Sequence, residues 1–227
     1  MNIREVSLLS NSIRETKIFY VQVLGLKIVS ENPATITLQA GQTTLIFYQT
    51  DSIDPTYHFA FNIPGNQLDT VMEWLQERLE IMPASENGDL ITDFKSWNAK
   101  SFYFNDNNGN ILECIARFDL QNNTPVFNPQ TFILNISEIG FVVTNVTDAE
   151  KLLQEKGIPP FSKGPQLPDF SVLGDDNGLV ILTDMNRGWM PNHLDTKPFW
   201  SKAVIQQNTS WFELSLTDHL QIKNIED

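Results

Sequence analysis

Polar and apolar positions follow one order in three short stretches: Glu5-Val6-Ser7-Leu8, His58-Phe59-Ala60-Phe61 and Glu138-Ile139-Gly140-Phe141. Each reads as a polar residue of ligand type, a large apolar residue, a small one and a large apolar one. Successive side chains of a strand point to opposite faces, so the large residues share one face and the polar and small residues the other. The apolar face suits packing on a helix. The polar face looks into whatever the sheet curves around.

A helical pattern follows each stretch. Ile13 to Leu24 carries Ile13, Lys17, Tyr20 and Leu24 near helical spacing and stops at Gly25. Leu68 to Leu79 sets Leu68, Val71, Met72, Leu75 and Leu79 on one stripe, and Asp148 to Lys156 ends at Gly157. Each unit then closes on a turn and a last strand: Ala40-Gly41 before Thr43–Tyr48, Asn108-Gly109 before Asn110–Ala116, and Asn177-Gly178 before Leu179–Thr183. The near-equal spacing of these glycines predicts three copies of a βαβββ unit, an α+β fold. Asp119 to Gln130, with two prolines among polar residues, reads as a linker. Residues 1–118 are therefore expected to form one paired βαβββ domain, and 131–227 a third unit with C-terminal strands. In that tail Ser201–Gln207 and Ser210–Leu216 read as a degenerate fourth unit, Trp189-Met190-Pro191 onward as an ordered loop, and residues from Asp218 as frayed.

Bulk composition narrows the function classes. Of 227 residues, 41% are hydrophobic and 19% charged, a globular balance. The formal net charge of −13 speaks against a nucleic-acid groove, which needs clustered Lys and Arg. No apolar run approaches a membrane span, no secretory leader is evident, and the lone Cys114 rules out an intrachain disulfide; a cytoplasmic protein is expected.

The opening Ile3-Arg4-Glu5-Val6-Ser7-Leu8, with Phe19-Tyr20 and Val23-Leu24-Gly25-Leu26, resembles that of vicinal oxygen chelate proteins. The stretch Ser101-Phe102-Tyr103-Phe104-Asn105-Asp106-Asn107-Asn108-Gly109-Asn110-Ile111-Leu112-Glu113 resembles their closing hairpin. That superfamily includes glyoxalase I, bleomycin-resistance proteins, extradiol dioxygenases and fosfomycin-resistance thiol transferases. The resemblance implies a cup-shaped curled sheet, with metal ligands on the inward face of first and last strands. Carried over, it names Glu5, His58 and Glu113 as holders of a divalent metal ion. Alternation independently turns the same three side chains inward.

Those residue types suit such an ion: one imidazole nitrogen and two carboxylates leave positions open for a substrate oxygen. Glu113, or Tyr103, would move a proton as the catalytic group. Where the dioxygenases and thiol transferases commonly carry His, this chain has Glu5. Thr43–Tyr48 lacks the acid that serves glyoxalase I as base. Glu138 holds the corresponding first-strand position of unit three, but Leu179–Thr183 supplies no acid, so that unit reads as mainly structural. Each candidate has a plainer reading too. Glu5 is equally a surface ion-pair residue, His58 a hydrogen-bonded core histidine, and Glu113 a partner for Lys100 or Arg117. Tyr48, Trp97 and Tyr103 are either core or the walls of a pocket for a flat ligand. The expected function is a metal-dependent enzyme acting on a small oxygenated molecule. The alternative is a metal-free small-molecule binding protein on the same scaffold. An unpaired third unit would need either the tail strands or a second copy to cover its sheet, so a homodimer is expected.

Overall fold

The structure is a computed structural model and describes residues 1–225. Unit one runs β1 (Asn2–Ser10), α1 (Ile13–Lys17) continuing as a π-helical turn over Ile18–Val23, β2 (Lys27–Asn32), β3 (Thr35–Ala40) and β4 (Thr43–Gln49). Unit two runs β5 (His58–Ile63), α2 (Leu68–Gln76), β6 (Thr92–Phe94), β7 (Ala99–Asn105) and β8 (Ile111–Arg117). Unit three runs β9 (Asn135–Val142), α3 (Val146–Glu155), β10 (Gln166–Leu167), β11 (Phe170–Asp175) and β12 (Gly178–Thr183). The tail adds an antiparallel meander of β13 (Ser201–Gln207), β14 (Ser210–Leu216) and β15 (Leu220–Ile225), with no helix. Thus Leu220–Ile225, expected to fray, is a strand; Glu226 and Asp227 lie outside the described residues.

Local chemistry starts the helices as read. Ser12 caps α1 by accepting from the Glu15 amide, and Asn145 caps α3 by accepting from the Asp148 amide. Gly25 and Gly157 sit at positive φ just past the first and third helical segments. The large residues of all three repeats are buried in a single apolar core: Val6 and Leu8, Phe59 and Phe61, Ile139 and Phe141.

The pairing of units departs from expectation. The seven-stranded sheet has the order β15-β14-β13-β1-β4-β3-β2, and the eight-stranded sheet β10-β11-β12-β9-β5-β8-β7-β6. Unit one therefore joins the tail strands, through β1 antiparallel to β13, and unit two joins unit three, through β5 antiparallel to β9. Residues 1–118 do not form a paired domain of their own. A repeat specifies what each unit contributes, while the choice of neighbour rests on contacts far apart in sequence. Both pairings close within one chain, which removes the reason for which a second copy was expected.

Polar contacts at several points join the two halves across the shared core. The Met1 ammonium pairs with Asp175, and the buried Tyr20 hydroxyl donates to Asp106 Oδ2 at 2.6 Å, linking the first helical segment to the turn before β8. Because residues 1–118 lack both β9 and β13, that fragment alone would leave β1 and β5 as open edges. It is expected to aggregate or to unfold without a cooperative transition, whereas the whole chain melts cooperatively. A soluble 1–118 fragment with a sharp melt by circular dichroism would contradict this pairing.

Candidate metal centre

The concave face of the eight-stranded sheet collects the polar residues of units two and three. Ala60 on β5 is in register with Glu113 on β8 at one side and with Glu138 on β9 at the other. The two carboxylates thus flank a small residue in one row across three strands, and His58 stands two residues back on β5. A bulge at Ser137 helps: Phe61 pairs with Ile136 while Ala60 pairs with Glu138. The extra residue lets Ile136 and Ile139 both enter the apolar core while Glu138 faces the cup.

Among the described residues, His58, Glu113 and Glu138 form the one cluster able to hold a metal ion, with donor atoms all within 4.8 Å of one another. His58 Nε2 lies 3.8 Å from Glu113 Oε2 and 4.0 Å from Glu138 Oε2. His58 Nδ1 lies 3.1 Å from the Ile111 carbonyl, an acceptor only, so Nδ1 carries the proton and Nε2 presents its lone pair to the carboxylates. Burial drives the His58 pKa down to about 4, keeping the ring neutral at pH 7. Burial, reinforced by the Glu138 charge, pushes Glu113 up to about 8. Burial also raises Glu138, against the pull of Arg117, whose guanidinium pairs with Glu138 Oε1.

Three acceptors converging in a buried space repel one another unless a proton or a cation lies between them. Glu113 Oε1 has no hydrogen-bond partner among the described residues. An imidazole nitrogen and two carboxylates are a donor set for a divalent transition metal or Mn(II), so the residues fit such an ion.

The cluster forms the floor of a cavity of about 300 Å³ walled by Phe94, Trp97, Phe170, Ile181 and Trp189. Trp189 comes from the loop between β12 and β13, and its ring lies 5.1 Å from that of His58. Its backbone amide donates to the Leu194 carbonyl at 2.9 Å, closing a turn within the loop. Gly140 makes room beneath: a Cβ there would meet Trp189 Cη2 at 2.4 Å. The Tyr103 hydroxyl, cross-strand from Glu113, is pushed well above its usual range by burial and by the Glu113 charge.

The structure therefore brings together His58, Glu113 and Tyr103 but not Glu5. Glu5 lies on the other sheet, 3.4 Å from Lys202 Nζ, which also meets Glu213 at 3.2 Å. Glu138, read as structural, takes the place expected for Glu5. Trp97 and Tyr103 line the cavity, while Tyr48 packs edge-on against Trp200 in the other half.

Across pH 4.5 to 8 a folded-state Glu113 holds a proton that it releases when unfolded, so metal-free stability falls as pH rises through that interval. His58 is neutral when folded but titrates near pH 6.5 when unfolded, so its opposing slope is half-strength at pH 6.5 and fades by about pH 7.5. The melting temperature of chelator-treated protein should fall between pH 6.5 and 8 and then level, and Glu113→Gln should remove that decline. An unchanged slope in the variant would show that Glu113 is not the group responsible.

No protein-family model matches the chain, and no curated protein matches it. Solved structures do. A proposed dioxygenase from Bacillus subtilis is 15% identical, covers 99% of this chain and 84% of its own, and superposes with a TM-score of 0.62. A glyoxalase/bleomycin resistance protein/dioxygenase from Alicyclobacillus acidocaldarius is 20% identical over 52% of this chain and 92% of its own, TM-score 0.43. A fosfomycin resistance protein from Listeria monocytogenes, complexed with Mn(II), is 16% identical over 50% and 86%, TM-score 0.40. With its repeated βαβββ units curled into paired cups, this chain has the fold of the vicinal oxygen chelate superfamily.

Proposed function

We propose that this protein is a divalent-metal-dependent enzyme of the vicinal oxygen chelate type, acting on a small oxygenated molecule. The observation that carries this reading is the buried lone pair of His58 facing the carboxylates of Glu113 and Glu138. His58, Glu113 and Glu138 would hold the ion, which supplies Lewis acidity toward a substrate oxygen.

The chain's own groups define the rest. Two carboxylates, the Arg117 guanidinium and a neutral imidazole leave the floor with one net negative charge. A divalent ion reverses it to one net positive charge. A ligand that brings one anionic oxygen restores neutrality, which favours molecules with an acidic hydroxyl or enol. Trp97, Phe170 and Trp189 offer flat apolar walls that exclude water from a planar ligand. Glu113, with Tyr103 directly across the strand pair, is the carboxylate placed to take up a proton from such a ligand.

A second reading has its own support. The pairing of Arg117 with Glu138 and a protonated Glu113 leave the floor neutral without an ion, as a metal-free binding protein requires. No helix among the described residues is long and apolar enough to cross a membrane, and neither reading calls for one.

Elemental mass spectrometry of protein purified without a metal-binding tag separates the two. About one equivalent of transition metal per chain is expected, falling roughly tenfold or more in His58→Ala with the fold retained by circular dichroism. Loading chelated protein at pH 7 should release close to one proton, from Glu113, and none in Glu113→Gln. No metal uptake, combined with ligand-induced stabilisation that survives a chelator, would replace the enzyme by the binding protein.

A further inference from the structure

Arg117 is a fully buried cation at the end of β8, and its surroundings assign it more than charge balance. It shares the inward face of β8 with Glu113, two positions beyond Ile115. Its Nε donates to Asn62 Oδ1 at 3.2 Å, and Asn62 is itself fixed by donating from Nδ2 to the Asp176 carbonyl at 3.2 Å. One terminal nitrogen pairs with Glu138 Oε1, and the other lies 3.6 Å from Asp176 Oδ1. The guanidinium carbon sits 5.5 Å from the centre of the Trp97 ring. Asp176 is held in turn by Lys163 Nζ at 2.6 Å. The bond to Asn62 fixes the guanidinium at Nε, while the terminal nitrogen facing Asp176 makes no hydrogen bond among the described residues.

The two oxygens of Glu138 are thereby made unequal. Oε1 is engaged by Arg117, and Oε2 is left facing His58 Nε2 at 4.0 Å. Resting on the metal reading above, we infer that Arg117 is a positioning residue that clamps Glu138 so that one oxygen alone is offered to the ion. A carboxylate restricted in this way occupies a single coordination position and leaves another for the substrate. On the opposite side no clamp is seen: Glu113 Oε1 is without a partner among the described residues. The two glutamates flank Ala60 almost symmetrically, yet only Glu138 is paired with a guanidinium.

The inference has a sign that distinguishes it from a bystander charge. A buried cation that merely lay near a divalent ion would repel it, and its removal would tighten binding. A clamp does the reverse: without it Glu138 loses its orientation, and binding weakens.

The test is titration of chelated protein with Co(II), followed by visible absorption, which reports both affinity and coordination. Arg117→Met should weaken Co(II) binding on the order of tenfold or more and alter the absorption bands. In a Glu138→Gln background the same replacement should change affinity by less than about threefold, because the residue through which it acts is already altered. Arg117→Lys keeps the charge and gives up the planar fork, so its affinity should fall between wild type and Arg117→Met. Should Arg117→Met fail to fold, the Arg117→Lys cycle with Glu138→Gln decides alone. Tighter binding, unchanged spectra or additive effects would overturn the clamp while wild-type binding upholds the metal site. Failure of the wild type to bind Co(II) would overturn both.

Discussion

The structure turns on the burial of two carboxylates across one small residue. Ala60 places Glu113 and Glu138 on either side of a single strand, and His58 directs a lone pair into the same space. An isolated buried carboxylate is costly, and two sharing a site are more so. The raised affinity of Glu113 for protons, the clamp of Arg117 on Glu138 and the fit to a divalent ion all respond to that cost. The response is local, and it shapes the whole concave face: Asn62 and Asp176 hold Arg117, while aromatic rings keep solvent away from the floor.

The other cup shows what the same scaffold becomes without that constraint. In the seven-stranded sheet Ser7 takes the place of Ala60, in register with Ile46 on β4 and Lys202 on β13. Ile46 and Lys202 stand where Glu113 and Glu138 stand in the first cup, and Glu5 stands where His58 does. There Glu5 shares the Lys202 ammonium with Glu213, and such partly exposed ion pairs contribute little to stability. Repetition of the fold therefore did not repeat the site. One cup concentrates acceptors that call for a cation, and the other supplies the cation as a side chain.

Much of this was legible in the sequence, and the failures share one cause. Alternation turned His58 and Glu113 inward and placed Val6, Phe59 and Ile139 in the core. Glycines marked the turns of three units. The third member of the cluster was missed because Glu5 and Glu138 occupy the same position of the same repeat, and only the strand that pairs with β5 decides between them. That pairing is a long-range contact with no local signature. The absence of an acid in Leu179–Thr183 was correctly seen: Ile181, in register with Gly140, lines the cavity with an apolar wall. Yet this says nothing of β9, whose first-strand glutamate completes the cluster. Arg117 was visible as a cation near Glu113, but its partner is Glu138, a consequence of the same unforeseen neighbour.

The long loop before β13 reads from sequence only as an ordered loop, and its Trp189 lines the cup. Its tryptophan reaches the floor because Gly140 lacks a side chain, so a position first read only as the small member of a repeat has a specific steric role here. The equivalent small residues do different work: Ala60 separates two glutamates, and Ser7 lies 3.4 Å from Glu5 through its hydroxyl. At each site the small residue admits whichever group the cup must hold close. With Trp189 seated on Gly140 and its ring tilted against that of His58, the cluster is bordered by aromatic walls. If the proposed ligand binds in this cavity, the rings of Trp97 and Trp189 would favour a flat apolar body whose oxygen turns toward the three acceptors.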